Sequence, residues 1–221
     1  MKFVTFRTAG ADPEAGAIVR DQVVGLKGAG YSSMLAVLGG GAAEARSKIE
    51  NWVKSSGALF PLNSVTLLAP IPRPPKLICV GLNYRDHALE SKMEIPKVPS
   101  IFSKFPSAVI GPGEPIVLPK NSTQPDYEAE FAFVIGRGGR HIPADRWQEH
   151  VFGYSIINDV SARDFQFAST QWLMGKTFDT FAPMGPHIVS ADEIPDPHAV
   201  DISLSIHVEV LQHSNTRDLI F

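Results

Sequence analysis

The sequence predicts an α+β fold in which β-strands predominate, led by a small N-terminal α+β unit. Three observations carry this expectation. Past residue 75, short β-branched and aromatic runs recur between glycines and prolines, of which the chain has 18 each among 221 residues. Helical spacing is sparse there. No regular strand-helix alternation accompanies the strands, which argues against a doubly wound parallel sheet and for a β-rich mixed architecture. A hydrophobic content of 44% is enough for a real core.

In order along the chain, residues 2–7 and 17–26 alternate and branch like strands, the second run turning near Arg20-Asp21-Gln22. Residues 32–38 and 42–54 have helical spacing and are separated by Gly39-Gly40-Gly41. Residues 65–68 read as another strand. The run Pro70-Ile-Pro-Arg-Pro-Pro75 lacks backbone donors and disfavours helix. A boundary is therefore expected there, dividing a small unit at residues 1–70 from a larger one at 76–221. Strands are expected in that unit at 77–80, 101–103, 115–118, 128–135, 152–158 and 202–211. Its helices are expected at 84–92 and at 144–150, the latter with Pro143 near a first-turn position that proline tolerates.

Composition excludes several functions. The net charge is −3 with Lys and Arg scattered, so no basic stripe grips a phosphate backbone, and nucleic acid is rejected as a partner. The one cysteine, Cys79, lies in the apolar run Leu77-Ile-Cys-Val80, where it reads as a strand residue and not a nucleophile. No apolar segment reaches the ~20 residues needed to cross a bilayer, and Met1-Lys-Phe-Val-Thr-Phe-Arg7 has no signal-peptide core. A cytoplasmic location without membrane attachment is the default expectation, with a mitochondrial one left open.

Three carboxylates carry the candidate chemistry. Glu128 and Glu130 stand two apart in Asp126-Tyr-Glu-Ala-Glu-Phe-Ala-Phe-Val-Ile-Gly136, and Asp159 closes Phe152-Gly-Tyr-Ser-Ile-Ile-Asn-Asp159. Side chains two apart on a strand share a face. The glutamates then project together, with Tyr127, Phe131, Phe133 and Ile135 opposite. Paired anions in one pocket need a shared proton or a bound cation. A third carboxylate favours the cation, and hard oxygen ligands suit Mg2+ or Mn2+. The plain alternative is the solvated face of an edge strand. Against it, that face continues with Ala132 and Val134, not with polar residues.

Other groups stand near these in sequence. His87 and Glu90 lie three apart just after a strand, where a carboxylate can hold an imidazole as a general base; an exposed helical ion pair is the alternative. Arg163 and Gln166, again three apart, and Lys176 offer donors for an anionic substrate, or else are surface polar groups. Gly136-Arg-Gly-Gly139 lacks the lysine-serine pair and the strand-to-helix turn of a phosphate loop and reads as a hairpin. The remaining histidines, at 141, 150, 187, 198, 207 and 213, show no zinc spacing. No Gly-x-Ser-x-Gly elbow occurs. Trp52, Trp147 and Trp172 form no grouping suited to a sugar cleft.

Several ordered blocks resemble the fumarylacetoacetate hydrolase family, particularly its domain-containing type-two members. They are Val80-Gly-Leu-Asn-Tyr-Arg-Asp-His87, Phe102-Ser-Lys-Phe-Pro-Ser107, Asp126-Tyr-Glu-Ala-Glu130, Asn158-Asp-Val-Ser-Ala-Arg-Asp164, Gln171-Trp-Leu-Met-Gly-Lys-Thr-Phe-Asp179 and Gln212-His-Ser-Asn-Thr216. The resemblance implies a mixed β-sandwich roll, usually dimeric, acting on β-dicarbonyl and 2-oxo acids, with type-two members looking closest to oxaloacetate tautomerases. It implies Glu128, Glu130 and Asp159 as ligands of Mg2+ or Mn2+, His87 with Glu90 as the base, and Arg163, Gln166 and Lys176 on substrate oxygens. Two departures accompany it. The family continues past this point through Gly-Asp and Gly-Thr-Pro motifs, and Ile206-His-Val-Glu209 lacks the Asn-Gly turn expected there. They raise the expectation of a truncated, catalytically silent member that only binds or oligomerises.

Overall fold

The computed structural model describes residues 1–40, 42–55 and 59–221, so Gly41 of the expected glycine separator lies outside the described residues. The chain adopts the α+β, predominantly β architecture expected from its sequence. Its N-terminal part contains β1 (Lys2–Arg7), β2 (Glu14–Val19), β3 (Gln22–Gly25), α1 (Met34–Gly39), α2 (Ala42–Ser55), β4 (Leu59–Pro61) and β5 (Thr66–Leu68). Beyond the proline run come β6 (Ile78–Gly81), α3 (Arg85–Glu90), β7 (Ser100–Ser103), β8 (Val109–Ile110), β9 (Pro125–Asp126) and β10 (Ala129–Ile135). The remainder holds β11 (Val151–Asn158), β12 (Ser161–Ala162), α4 (Arg163–Gln166), α5 (Leu173–Lys176), β13 (Ala182–Pro183), β14 (Ile188–Ser190), β15 (Asp201–Ile206) and β16 (Glu209–Asn215).

One large sheet runs β10-β11-β14-β1-β2-β3-β4, with β5 also on β1. Strand β1 is buried from Phe3 to Phe6 because both of its faces are covered. Phe3 joins the larger core cluster, while Val4 and Phe6 pack with Val23 and Phe60 in a smaller one. The sheet is continuous across the boundary expected at the proline run: β14 pairs with β1 on one side and β11 on the other. The larger cluster likewise joins Phe3, Ala15 and Leu26 to Phe152, Ile157 and Ile188. The proline run is thus a connector under a shared core, and Thr5 Oγ1 donates to Pro70 O at 2.7 Å.

Two elements differ from expectation. Residues 115–118 are not in a ladder. Pro115 and Pro119 supply no N–H, and the N–H of Val117 donates to Thr180 Oγ1 at 2.8 Å instead of to a neighbouring strand. The single strand expected at 202–211 is the hairpin β15-β16. It turns at Ile206 to Glu209 without Asn-Gly, because His207 takes the left-handed conformation at φ 55°, which His adopts more readily than most residues. On β10, the face carrying Ala132 and Val134 packs into the larger core cluster. The face with Phe133 and Ile135 is turned outward, 60% and 53% exposed.

Candidate active site

The last rungs of the β10-β11 ladder pair Ala129 with Asn158 and Glu130 with Ile157. Just past them the N–H of Asp159 donates to Glu128 O at 2.7 Å, and the N–H of Glu128 donates to Asn158 Oδ1 at 3.0 Å. These bonds bring Glu128 and Asp159, far apart in sequence, to the same end of two adjacent strands. The side chain of Gln212 on β16 clamps the start of β10, accepting from the N–H of Ala129 and donating to its carbonyl, both at 2.8 Å. Ser161 Oγ donates to Asp159 O at 2.9 Å and lies 3.3 Å from Glu128 Oε1.

Cations come from elements packed against this end. Lys176 ends α5, which lies so close to α4 that a Cβ on Gly175 would stand 2.4 Å from Gln166 N and 2.6 Å from Ala162 O. Its Nζ donates to Glu128 Oε2 at 2.7 Å and to Asp159 Oδ2 at 2.8 Å, with the ring of Phe102 5.2 Å away. Arg163 opens α4. Its Nη1 meets Glu128 Oε1 at 2.5 Å and Gln166 Oε1 at 2.9 Å, and its Nε and Nη2 both reach Asp126 Oδ2 at 2.9 Å. Lys104, one residue beyond β7, donates to Asp159 Oδ1 at 2.5 Å and to Val160 O at 3.0 Å.

Four carboxylates (Asp126, Glu128, Glu130, Asp159) therefore face three cations (Lys104, Arg163, Lys176). The anion in excess is Glu130. Among the described residues no hydrogen bond or ion pair reaches its side chain, and its pKa is pushed up to about 8. Burial is the first cause, followed by the charges of Glu128 and Asp159, against a smaller opposing pull from Lys176. The same surroundings push the Cys79 thiol up to about 12, again by burial first and then by Asp159. A thiol held protonated is a poor nucleophile. Its coupling to Asp159, Lys104, Lys176 and Glu130 places Cys79 beside the cluster.

The oxygen donors are of the hard kind that suits a divalent cation: half-buried Glu130 lies near Glu128 and Asp159, whose oxygens are taken by Lys104, Arg163 and Lys176. Among the described residues, however, no three His, Cys, Asp or Glu side chains are already gathered as a cage. Lys176 instead spans Glu128 and Asp159, so an ion entering between them displaces its ammonium. Arg163 and Gln166, expected to face one pocket together, do meet each other, and Arg163 is engaged by Asp126 and Glu128.

His87 and Glu90 stand apart from this network. They lie on α3 with side chains 55% and 85% exposed, His87 Nδ1 being 4.0 Å from Glu90 Oε2. An exposed pair at that distance contributes little to stability. The helix itself is tethered: Ser214 Oγ donates to Asp86 Oδ2 at 2.5 Å, Tyr84 bridges Leu219, and the N–H of Ile220 donates to Asn83 O at 2.8 Å. Tyr84 Oη is buried without a partner among the described residues. Burial, then Glu130 and Asp86, push that phenol above the usual tyrosine range. Leu82, two residues before, is held at φ 51°, a strained conformation for a leucine.

Sequence reasoning assigned no role to Lys104, Asp126 or Tyr84. A single lysine after a four-residue strand and a tyrosine before a short helix have no diagnostic spacing. Only the flanking aromatic residues, Phe102 and Phe105, hint that Lys104 turns inward.

Residues 76–221 match the family model described as the fumarylacetoacetate (FAA) hydrolase C-terminal region. The chain belongs to this family. It is 50% identical over 164 residues to the oxaloacetate tautomerase Fahd2a, mitochondrial, of Rattus norvegicus, a match covering 74% of this chain and 52% of the relative. The fumarylacetoacetate hydrolase domain-containing protein 2 homolog of Dictyostelium discoideum is 39% identical over 220 residues, covering 93% and 72%. The chain spans about half the length of the rat tautomerase. Among solved structures, maleylpyruvate hydrolase from Sphingobium sp. SYK-6 in complex with manganese(II) ion and pyruvate superposes with a TM-score of 0.83 at 28% identity, over 100% of this chain and 78% of that one. The fumarylacetoacetate hydrolase from psychrophilic Exiguobacterium antarcticum gives 0.78 at 33% identity, over 99% and 76%. The β-rich fold is thus that of fumarylacetoacetate hydrolase family members.

Proposed function

We propose that this fumarylacetoacetate hydrolase family chain is a Mg2+ or Mn2+ dependent enzyme of small 2-oxo or β-diketo acids. Oxaloacetate enol-keto tautomerisation is the leading activity, and acylpyruvate or fumarylacetoacetate-type C–C hydrolysis is open to the same site. The observation that supports this reading is the nearness of Glu128, Glu130 and Asp159 at one sheet end, with Glu130 unpartnered among the described residues and its pKa raised by burial first and then by the other two. The relative named as an oxaloacetate tautomerase and the neighbour holding manganese and pyruvate support the substrate class.

A divalent ion held by the three carboxylates would supply Lewis-acid stabilisation of negative charge on a 2-oxo acid's oxygens. The chain's own residues do the rest. The Arg163 guanidinium can grip a substrate carboxylate at two points, and Gln166, which accepts from it, fixes its plane. Lys176 Nζ neutralises a substrate oxygen once it leaves Glu128 and Asp159. His87, with Glu90 as its carboxylate partner once the two close to hydrogen-bond distance, moves the proton between carbon and enol oxygen; for this, α3 must bring its exposed imidazole toward the cluster. Hydrolysis uses the same imidazole to activate water toward a second carbonyl.

The assembly is proposed to be a homodimer, supported by apolar side chains left exposed on β6, β7 and β10, among them Ile78, Ile101 and Phe133. No helix of the described residues is long and apolar enough to cross a membrane. That the rat relative is a mitochondrial tautomerase favours the mitochondrion over the cytosol as the compartment.

The test is the rate of oxaloacetate enol-keto conversion by the purified chain, followed by ultraviolet absorbance with Mn2+ and with chelator. Turnover that chelator abolishes and Mn2+ restores is the expected result. Its absence at every metal concentration would favour a second reading, a catalytically silent member that only binds or oligomerises. The exposure of His87 and Glu90, away from the carboxylates, is the observation on its side.

A further inference from the structure

Trp172 has no task in the reaction outlined above, yet it stands beside the groups that would carry it. It immediately precedes α5, one helical turn before Lys176, so the two side chains leave the same side of that turn. The ring of Phe102 neighbours both, 5.7 Å from the Trp172 ring in an edge-on arrangement and 5.2 Å from Lys176 Nζ. Phe102 on β7 pairs with Cys79 on β6, and side chains directly opposite in a ladder share a face. Gly81 lies two residues past Cys79 and presents that same face. The indole fills the place of its missing side chain: a Cβ on Gly81 would stand 2.2 Å from Trp172 Cζ3 and 2.9 Å from Cη2. Trp172 thus rests on main chain, which cannot give way, with Phe102 against its flank. Both rings are half-buried, so part of each stays open.

We propose that Trp172 is a specificity-determining residue that limits substrate length, its indole closing the space into which carbons beyond the 2-oxo group would extend. The inference rests on the 2-oxo acid reading and on the places given there to Arg163 and Lys176, and it uses no metal ligand. Contacts run in one order toward this wall. Arg163 Nη1 meets Glu128 Oε1, Lys176 Nζ holds Glu128 Oε2 at 2.7 Å, and Phe102 and then Trp172 follow. An acid with its carboxylate on Arg163 and its keto oxygen on Lys176 directs its remaining carbons along that order, toward the two rings. A short acid ends before the indole. A longer one must displace it, and the backbone of Gly81 leaves it nowhere to go. A fixed apolar wall of this kind discriminates a single methylene by about tenfold or more.

The experiment measures dissociation constants of the full chain for pyruvate and for 2-oxohexanoate by isothermal titration calorimetry, with Mg2+ present throughout. These acids share the 2-oxo acid head and differ in the apolar tail. Wild type, Trp172→Ala and Trp172→Phe are compared, each checked for native fold by circular dichroism. Wild type is expected to prefer pyruvate. Trp172→Ala, which opens the space over Gly81, is expected to shift the ratio toward 2-oxohexanoate by about tenfold or more, chiefly by tightening the longer acid. Trp172→Phe, which keeps a smaller ring there, is expected to shift it the same way by less, and it decides the matter should Trp172→Ala fail to fold. A purely structural role for Trp172 would weaken both acids alike. An unchanged ratio in a natively folded variant, or a wild type that prefers 2-oxohexanoate, overturns the inference and leaves the substrate reading standing. Wild type that binds neither acid overturns the substrate reading and the inference together.

Discussion

Glu130 is the residue on which the site's electrostatics turn. Lys104, Arg163 and Lys176 neutralise the other three carboxylates, while Glu130 holds its proton up to about pH 8. A carboxyl whose folded pKa lies above its ordinary value near 4.5 binds the proton more tightly when folded. It therefore stabilises the metal-free fold fully at acidic pH, and that contribution is lost as pH rises from about 4.5 through about 8. At about 1.4 kcal/mol per unit of pKa difference, the loss amounts to a few kcal/mol. Thermal denaturation of the metal-free chain across that range is expected to show the decline, and Glu130→Gln, which cannot ionise, is expected to flatten it. A wild-type chain equally stable at pH 5 and pH 8 would contradict the assignment. The Glu-x-Glu pair was legible in the sequence because strand periodicity needs only neighbours. The pairing of Asp159 with Lys104 was not, because 55 residues separate them and only the tertiary fold sets the contact.

Among the elements, α4 and α5 do most to place the cationic side of the site, and both are short. Their contact depends on Gly175, where a methyl group would collide with backbone atoms of Gln166 and Ala162. Gly175→Ala is expected to destabilise the chain by about 1–3 kcal/mol, as overpacking does, and to displace Lys176 from Glu128 and Asp159. Urea unfolding measures the first effect. Elements with a strong local pattern were legible: β1, β10 and β11 fall within a residue or two of their expected bounds. Those decided by partners were not. Residues 115–118 look like a strand but find a threonine side chain where a ladder would be, and the β15-β16 turn is made by His207 with no Gly or Asn to announce it.

For the whole molecule, the fold class followed from strand density and the absence of strand-helix alternation. The continuity of the large sheet across the proline run did not, because a proline-rich segment marks where helix and ladder stop and says nothing of what packs around it. Exposed apolar residues on β6, β7 and β10 bear on assembly. Sedimentation velocity is expected to show a concentration-dependent dimer, with Ile101→Lys shifting it toward monomer; a monomer at all concentrations would contradict the proposed assembly. The central claim is that Glu128, Glu130 and Asp159 together hold a divalent ion, and titrating the metal-free chain with Mn2+ tests it most directly. The account predicts one site per chain in the wild type and its loss in Glu130→Gln. Equal Mn2+ affinity in the two proteins would contradict it.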